Sequence, residues 1–415
     1  MARGATFAAA RGAGCAAAGG RSVAVRVQEN RRDMRAAAGT RTPTSLLLFG
    51  LVLASWPSVH AQDAVPVPAA ALPPASPAAR IASQQQFLLF DVIFHEQVNK
   101  QRRAFMFFLD LAMKLKRVLV LPRPRLLRRL QRAGSHFDKK ADYVAWGELF
   151  NVSALAKVHP VMELEQYLAL HGGVGLHVRI SHKDCAPIDE ETRFEFNGVP
   201  DVVAARTICH NKLQYTVNAL AAKPYAEIDA IAFSNSVDQV GPHVALPLRP
   251  YVRFEQSVYD TAADFVRASF DGEAFLAIHW RRTDFLHVRR SHQWALQSAP
   301  MLIRHARALM REHGLRHVYL ATDSEDASEI AEVQAALQPA RYTGNKRTLL
   351  AKTVTANVEI AICAMANRFL GTRTSSFTLA ITEERAGVFG HEQWTGDEMG
   401  EPPPELERAK AKDEL

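Results

Sequence analysis

The chain opens with a long stretch that lacks helical or strand periodicity, and the first apolar pattern able to build a core begins near residue 84. Phe87 to Phe94 predicts a strand, a polar turn follows, and apolar positions at Phe105, Phe108, Leu109, Ala112 and Leu115 predict a long amphipathic helix. Val118 to Leu121 is a short β-rich run halted by Pro122 and Pro124. Strand, helix and strand in that order predict a βαβ unit and a parallel sheet.

The second half repeats this grammar more clearly. Phe275 to Ile278 predicts a strand ending in His279-Trp280-Arg281-Arg282, and a helix through Met301, Leu302, Ala306, Leu309 and Met310 stops at Gly314. Val318 to Ala321 predicts the next strand, ending in Thr322-Asp323-Ser324. A helix spans about Val354 to Ala366; Arg368 to Gly371 then enters Thr374-Ser375-Ser376-Phe377 and one more helix. The pattern predicts an α/β protein of two Rossmann-like halves facing a central cleft, with polar residues gathered at the strand carboxyl ends. The expected divisions are a leader over 1–61, an Ala/Pro-rich linker over 62–83, an N-terminal half over 84–245, a C-terminal half over 246–400 and a tail over 401–415.

Charge changes the picture of the first segment. The net +7 of the 415 residues suggests a nucleic-acid partner until it is located: residues 1–61 hold eight arginines against Glu29 and Asp33, and the remainder holds 42 basic and 41 acidic residues. A nearly neutral body argues against a polyanion. The arginine run of Arg123, Arg125, Arg128, Arg129 and Arg132 reads as a solvated helix face or part of a rim that receives an acceptor. Within the leader, Leu46 to Trp56 is apolar but about half as long as a membrane-spanning helix. Basic residues precede it and Val59-His60-Ala61 follows it with small residues, so a secretory signal cleaved before Gln62 is expected, with no membrane insertion afterwards. Lys412-Asp413-Glu414-Leu415 spells the endoplasmic-reticulum retrieval signal, which makes the KDEL receptor an expected partner and the reticulum lumen the expected location. In an oxidising lumen Cys185 and Cys209, read as loop residues, are a candidate pair, whereas Cys363 sits in an apolar run and reads as a buried thiol. Asn151-Val152-Ser153 is a glycosylation sequon at Asn151.

Three clusters lie where ligands bind in open α/β sheets, beyond strand carboxyl ends. His279, Arg281, Arg282 and Asp284 form one; a guanidinium there can grip a diphosphate, and a surface pair between Arg282 and Asp284 is the bland alternative. Ser375, Ser376 and Phe377 open a helix, where backbone N–H groups suit a phosphate or Ser375 is simply a cap. Glu359 borders an apolar helix face and needs donors, such as the two N–H groups on a guanine edge. The third cluster is His95-Glu96-Gln97-Val98-Asn99, with Glu96 a candidate general base and Asn99 a candidate clamp.

Together these clusters resemble a known family. Ala277 to Phe285 is similar to the HxRRxDF stretch of the protein O-fucosyltransferases, and Gly371 to Phe377 is similar to their GTxxS(S/T)F stretch. Trp146-Gly147-Glu148-Leu149-Phe150, Pro160 to Glu163 and Asp91-Val92 leading into Glu96 resemble the member that modifies thrombospondin type 1 repeats. The resemblance implies a GT-B enzyme that transfers fucose from GDP-fucose to a Ser or Thr hydroxyl of such a folded repeat, with inversion and no obligatory metal or other cofactor. By motif, Glu96 matches the catalytic base and Arg281 the arginine that steadies the β-phosphate. His95, Gln97, Val98, Asn99, His279, Ser375, Ser376 and Phe377 match donor contacts, Glu359 matches an aspartate that reads guanine, and Arg282 and Asp284 lie behind Arg281. The chain differs from the family at Gln97, where a glycine is usual, at Glu359, and in lacking a C-terminal cysteine pair. Two other readings stand beside this one: an enzyme for EGF-like repeats, and a catalytically silent protein that binds folded repeats.

Overall fold

The computed structural model describes residues 86–92, 97–129, 137–180, 187–210, 220–223, 225–236, 242–288, 296–391 and 397–399, all within one compact unit, Asp63–Leu415. The leader, the linker, His95, Glu96, Arg132, Cys185 and the terminal KDEL lie outside the described residues.

Two parallel sheets carry the architecture. The first is built from β1 (Phe87–Val92), β2 (Val118–Leu121), β5 (Val161–Glu163), β6 (Gly173–Ile180), β7 (Thr192–Phe196), β8 (Val199–His210) and β9 (Ala230–Ser236), in the order β5-β2-β1-β9-β6-β8-β7. Only β7 runs antiparallel to its neighbour. The second holds β10 (Phe275–Trp280), β11 (His317–Thr322), β12 (Arg368–Thr372) and β13 (Asp397–Met399), in the order β11-β10-β12-β13, all parallel. Strands such as Val118–Leu121 and Phe275–Trp280 are buried at every position because helices cover both faces of a parallel sheet.

The helices follow in chain order as α1 (Val98–Leu115), α2 (Val152–Leu155), α3 (Leu164–His171), α4 (Pro242–Leu248), α5 (Gln256–Phe270), α6 (Thr283–Val288), α7 (Ala299–His313), α8 (Ala327–Leu337), α9 (Leu349–Met365) and α10 (Ser376–Gly387). The predicted face of α1 is the buried one, through Phe105, Phe108, Leu109 and Ala112. Among the described residues no helix is long and apolar enough to cross a membrane. The α9 helix starts five residues before the expected Val354, with Thr348 as its cap accepting from the Ala351 N–H.

The arginine run is not a helix face. Arg125–Arg129 is strand β3, paired antiparallel with β4 (Phe137–Tyr143). Its pairing with β4 takes up the backbone, and Arg125 and Leu126 are buried while Arg123 stays half-exposed.

A shared core joins the halves. The largest apolar cluster runs from Leu88 and Phe105 through Trp146 and Phe254 to Ala361 and Ile381. Inside it sits a charged knot. Glu384 of α10, fully buried, takes Arg102 of α1 at 3.4 Å, the Arg249 guanidinium that follows α4, and the hydroxyl of Tyr259 on α5. Burial, then the neighbouring Arg249, pulls the Arg102 pKa down to about 9, so its guanidinium stays charged at neutral pH. Removing one member of a buried ionic set leaves uncompensated charge in low dielectric and costs about 3–5 kcal/mol. Glu384→Gln is therefore expected to lower the unfolding free energy measured in urea by an amount of that order. Lys114→Ala, which breaks an exposed pair with Asp110, should move it by under about 1 kcal/mol.

Candidate active site

β10 lies between β11 and β12, so its last residues emerge among three strand ends. Thr372 ties two of them: its hydroxyl donates to the His279 carbonyl at 2.9 Å and accepts from the Arg281 N–H at 2.9 Å. Asp323, just past β11, ties the third. It accepts from the Arg282 N–H at 2.7 Å and from the Thr283 hydroxyl, and it holds Arg281 Nη1 at 3.2 Å. The Arg281 side chain is 18% exposed, so the guanidinium is anchored and still reaches solvent. Neither Thr372 nor Asp323 stands out in the sequence as a positioning group; only their location at strand ends marks them.

His279 is buried beneath this cluster. Its Nδ1 lies 2.8 Å from Thr378 Oγ1, and its ring is tilted against Phe377 with centroids 4.7 Å apart. Both partners come from the first turn of α10, which packs tightly on β12: a Cβ at Gly371 would fall 2.4 Å from Thr378 Cγ2. The glycine here serves close packing and not a left-handed turn.

The α10 N-terminus divides the roles of its two serines. Ser375 is buried and caps the helix, accepting from the Phe377 N–H at 3.3 Å. Ser376 is exposed at the helix start, where the dipole and unpaired N–H groups favour an anion. Thr374 before them holds a left-handed φ of 64° and turns the chain from β12 into the helix.

Glu359 lies on α9, with residues 357, 358 and 360 to 364 of that helix buried. Burial pushes its pKa up to about 7; Lys346 and Arg341 draw it down, and Asp323 adds a smaller upward push. Burial and the same carboxylate raise the Tyr319 phenol well above its usual range. A carboxyl poised near neutrality is one that incoming N–H donors would convert fully to the anion.

In the first half, Gln97 is the exposed N-cap of α1, with φ −79° and its carbonyl accepting from the Lys100 and Gln101 N–H groups. That φ is open to any residue, so replacing a glycine here strains no backbone. Val98 and Asn99 form the half-buried first turn of α1. His95 and Glu96 lie outside the described residues, as does the side chain of Asp284.

The structure corrects two expectations. Arg282 is not the surface residue that its spacing with Asp284 suggests. It is buried, bonded to Glu329 of α8 with Nε to Oε2 at 3.0 Å, and stacked 5.3 Å from the Trp280 ring, because a carboxylate on α8 and an aromatic face two residues back in the chain both offer it partners. Cys209 is a strand residue of β8 and not a loop residue; it is disulfide-bonded, while Cys363 is a buried free thiol. Asn151 caps α2, with Oδ1 accepting from the Ala154 N–H at 2.7 Å.

Comparison with known proteins gives one consistent family. The model described as O-FucT, GDP-fucose protein O-fucosyltransferase, matches residues 97–387. A Caenorhabditis elegans protein named GDP-fucose protein O-fucosyltransferase 2 is 23% identical over 372 residues, covering 74% of this chain and 84% of its own. The Homo sapiens protein of that name is 25% identical over 414 residues, covering 82% and 91%. The crystal structure of POFUT1 in complex with GDP shares the fold, with a TM-score of 0.57 at 16% identity over 76% of this chain and 98% of that one.

The raised carboxyl of Glu359 has a signed consequence for stability. Between the unfolded value of 4.5 and the folded value of about 7 the native state holds a proton that the unfolded state has lost. Native stability from this group therefore falls as pH rises through that window and levels off above it. Glu359→Gln, which cannot ionise, should gain in thermal midpoint relative to the parent between about pH 5 and pH 8. A constant difference between the two proteins would mean that the carboxyl is ionised throughout.

Proposed function

The chain belongs to the GDP-fucose protein O-fucosyltransferase family, and from that premise we propose that it transfers fucose, with inversion, to Ser or Thr hydroxyls of folded thrombospondin type 1 repeats. It is a glycosyltransferase whose donor is GDP-fucose. The observation that carries the reading is the anchoring of Arg281, its guanidinium held by Asp323 and its backbone N–H by Thr372, at the same strand ends that present His279 and Phe377. A cation fixed before the substrate arrives stabilises charge that develops on a departing diphosphate without reorganising.

In the proposed step Glu96 takes the proton of the acceptor hydroxyl as its oxygen attacks the anomeric carbon. The bond from that carbon to the β-phosphate oxygen breaks on the opposite face, and GDP leaves with its charge against Arg281. Ser376 and the α10 N-terminus bind phosphate, Glu359 accepts the two N–H groups of guanine, and Asn99 clamps the donor from the first half. The choice of thrombospondin repeats over EGF-like ones rests on the Trp146 to Phe150, Pro160 to Glu163 and Asp91 to Glu96 stretches, and is in keeping with the names of the matched relatives. We place the enzyme in the reticulum lumen on the basic, apolar and small-residue order of the leader and on Lys412 to Leu415.

Both folded repeat types, offered with GDP-fucose to the same preparation, are expected to show transfer to the thrombospondin repeat; transfer to the EGF-like repeat alone would overturn the acceptor. Glu96→Ala should lower kcat by about 10²–10⁴-fold and Arg281→Ala by about 10²–10³-fold. GDP binding should tighten as pH rises through about 7, and Glu359→Gln should weaken it and remove that dependence, as read by calorimetry.

A further inference from the structure

Thr378, in the first turn of α10, spends its hydroxyl differently from other threonines in helices of this chain. A threonine inside a helix commonly returns its hydroxyl to a carbonyl one turn back. Thr261 does so with Ser257 at 2.7 Å, Thr353 with Leu349 at 2.9 Å and Thr382 with Leu379 at 2.9 Å. For Thr378 the carbonyl four residues back belongs to Thr374, which lies before the helix and holds the left-handed φ of 64°. Its methyl is packed over Gly371, where a Cβ would come within 2.4 Å, and that contact settles the rotamer. The hydroxyl is thereby aimed at His279, with Oγ1 2.8 Å from Nδ1, and among the described residues it has no other partner.

Which of the two atoms donates follows from burial. Thr378 is 1% exposed and His279 4%. With a proton on Nδ1, Oγ1 would accept, and the hydroxyl hydrogen would be buried with nothing to receive it. With the hydroxyl donating, Nδ1 accepts on its lone pair and both groups are satisfied. A neutral imidazole has one N–H, so a proton-free Nδ1 places that proton on Nε2.

The ring lies with the groups that suit a diphosphate. His279 and Arg281 are two residues apart on an extended segment and share a side of the chain, opposite Trp280 and Arg282. Phe377 closes on the ring, with centroids 4.7 Å apart, from the same helix whose N-terminus presents Ser376. A diphosphate gripped by Arg281 and by that N-terminus calls for further hydrogen-bond donors, and an Nε2 lone pair would repel its oxygens.

We propose that Thr378 is a positioning residue for the transfer: its hydroxyl holds His279 as the neutral Nε2–H tautomer, and that N–H donates to an oxygen of the departing diphosphate. The inference rests on the transfer reading above and adds to it the group that decides whether His279 meets the diphosphate with a proton or with a lone pair. Charge builds on the diphosphate as its bond to the anomeric carbon breaks. The contact therefore strengthens along the reaction and weighs on kcat and on GDP more than on the intact donor.

Selective isotopic labelling of histidine nitrogen, with the His279 signals assigned by their loss in His279→Gln, reads the tautomer of the parent by NMR. Nε2 should carry the proton and Nδ1 should not, and the Nε2–H resonance should move when GDP is added. A proton on Nδ1, or an Nε2–H that GDP leaves unmoved, would overturn the proposal whether or not any variant at position 378 folds. Thr378→Val keeps a methyl over Gly371 and removes the hydroxyl. It should lower kcat about tenfold and weaken GDP about tenfold, while KM for the donor changes by under about threefold and His279 is no longer confined to one tautomer. Thr378→Ser, which keeps the hydroxyl and loses the methyl, should hold kcat and GDP affinity within about twofold of the parent. Equal losses in the two variants, or a loss in Thr378→Val with the tautomer unchanged, would mean a packing role and overturn the assignment. If the parent binds GDP but transfers to no repeat, the transfer reading fails and Thr378 is judged by GDP affinity, which Thr378→Val should weaken and Thr378→Ser should not. No difference between them, or a parent that binds no GDP, would overturn it.

Discussion

The buried carboxylate of Glu384 is the constraint on which the rest of the molecule depends. Two guanidiniums and a phenol converge on it from helices belonging to both halves, and none of the four is open to water. Such a set is weak evidence for stability as such, because desolvation offsets most of the attraction. Its geometric meaning is stronger. Arg102 sits one turn into α1, three residues after Asn99, and Glu384 sits two turns into α10, eight residues after Ser376. The pair therefore fixes the distance between the helix that begins at Gln97 and the helix that begins at the Ser375 cap.

The same economy appears at the strand ends. Thr372 bonds to both the carbonyl of His279 and the N–H of Arg281, so one hydroxyl sets the exit angle of β10. Arg282, adjacent in sequence to Arg281, is turned the other way into Trp280 and Glu329. Alternation along an extended segment sends neighbouring side chains to opposite sides. Two successive arginines thus do unlike work: one reaches the cleft and the other braces the edge of the sheet.

Much of this was legible in the chain. The β10, β11 and β12 strands follow from buried runs bounded by polar ends, and His279, Arg281, Glu359 and Ser376 were named from position and residue type. The cap at Ser375 was named as well, although which serine caps and which is exposed depends on one hydrogen bond. Less legible were β6 to β9, whose alternation is broken by Gly175, Asp201 and charged residues, and whose pairing is set by contacts distant in sequence. The Arg125–Arg129 strand was misread because its arginines suggest a solvated face, whereas Arg125 is held by Gln101 and Tyr143. Asp323 and Thr372 lie in stretches the sequence marks as strand ends, but nothing local distinguishes a positioning carboxylate or hydroxyl from an ordinary strand terminus.

The tip of the β7–β8 hairpin has a further consequence for anyone who would alter this protein. A Cβ at Gly198 would fall 2.4 Å from the ring of Tyr143, and Tyr143 is the residue whose hydroxyl holds Arg125. Position 198 is therefore a remote handle. A side chain there meets the tyrosine ring, so the contacts of Arg125 with Tyr143 and Asp91 depend on a residue that touches neither Arg125 nor Asp91 in any bond described. A change at this glycine is therefore a change to the setting of a buried guanidinium as well as to a turn.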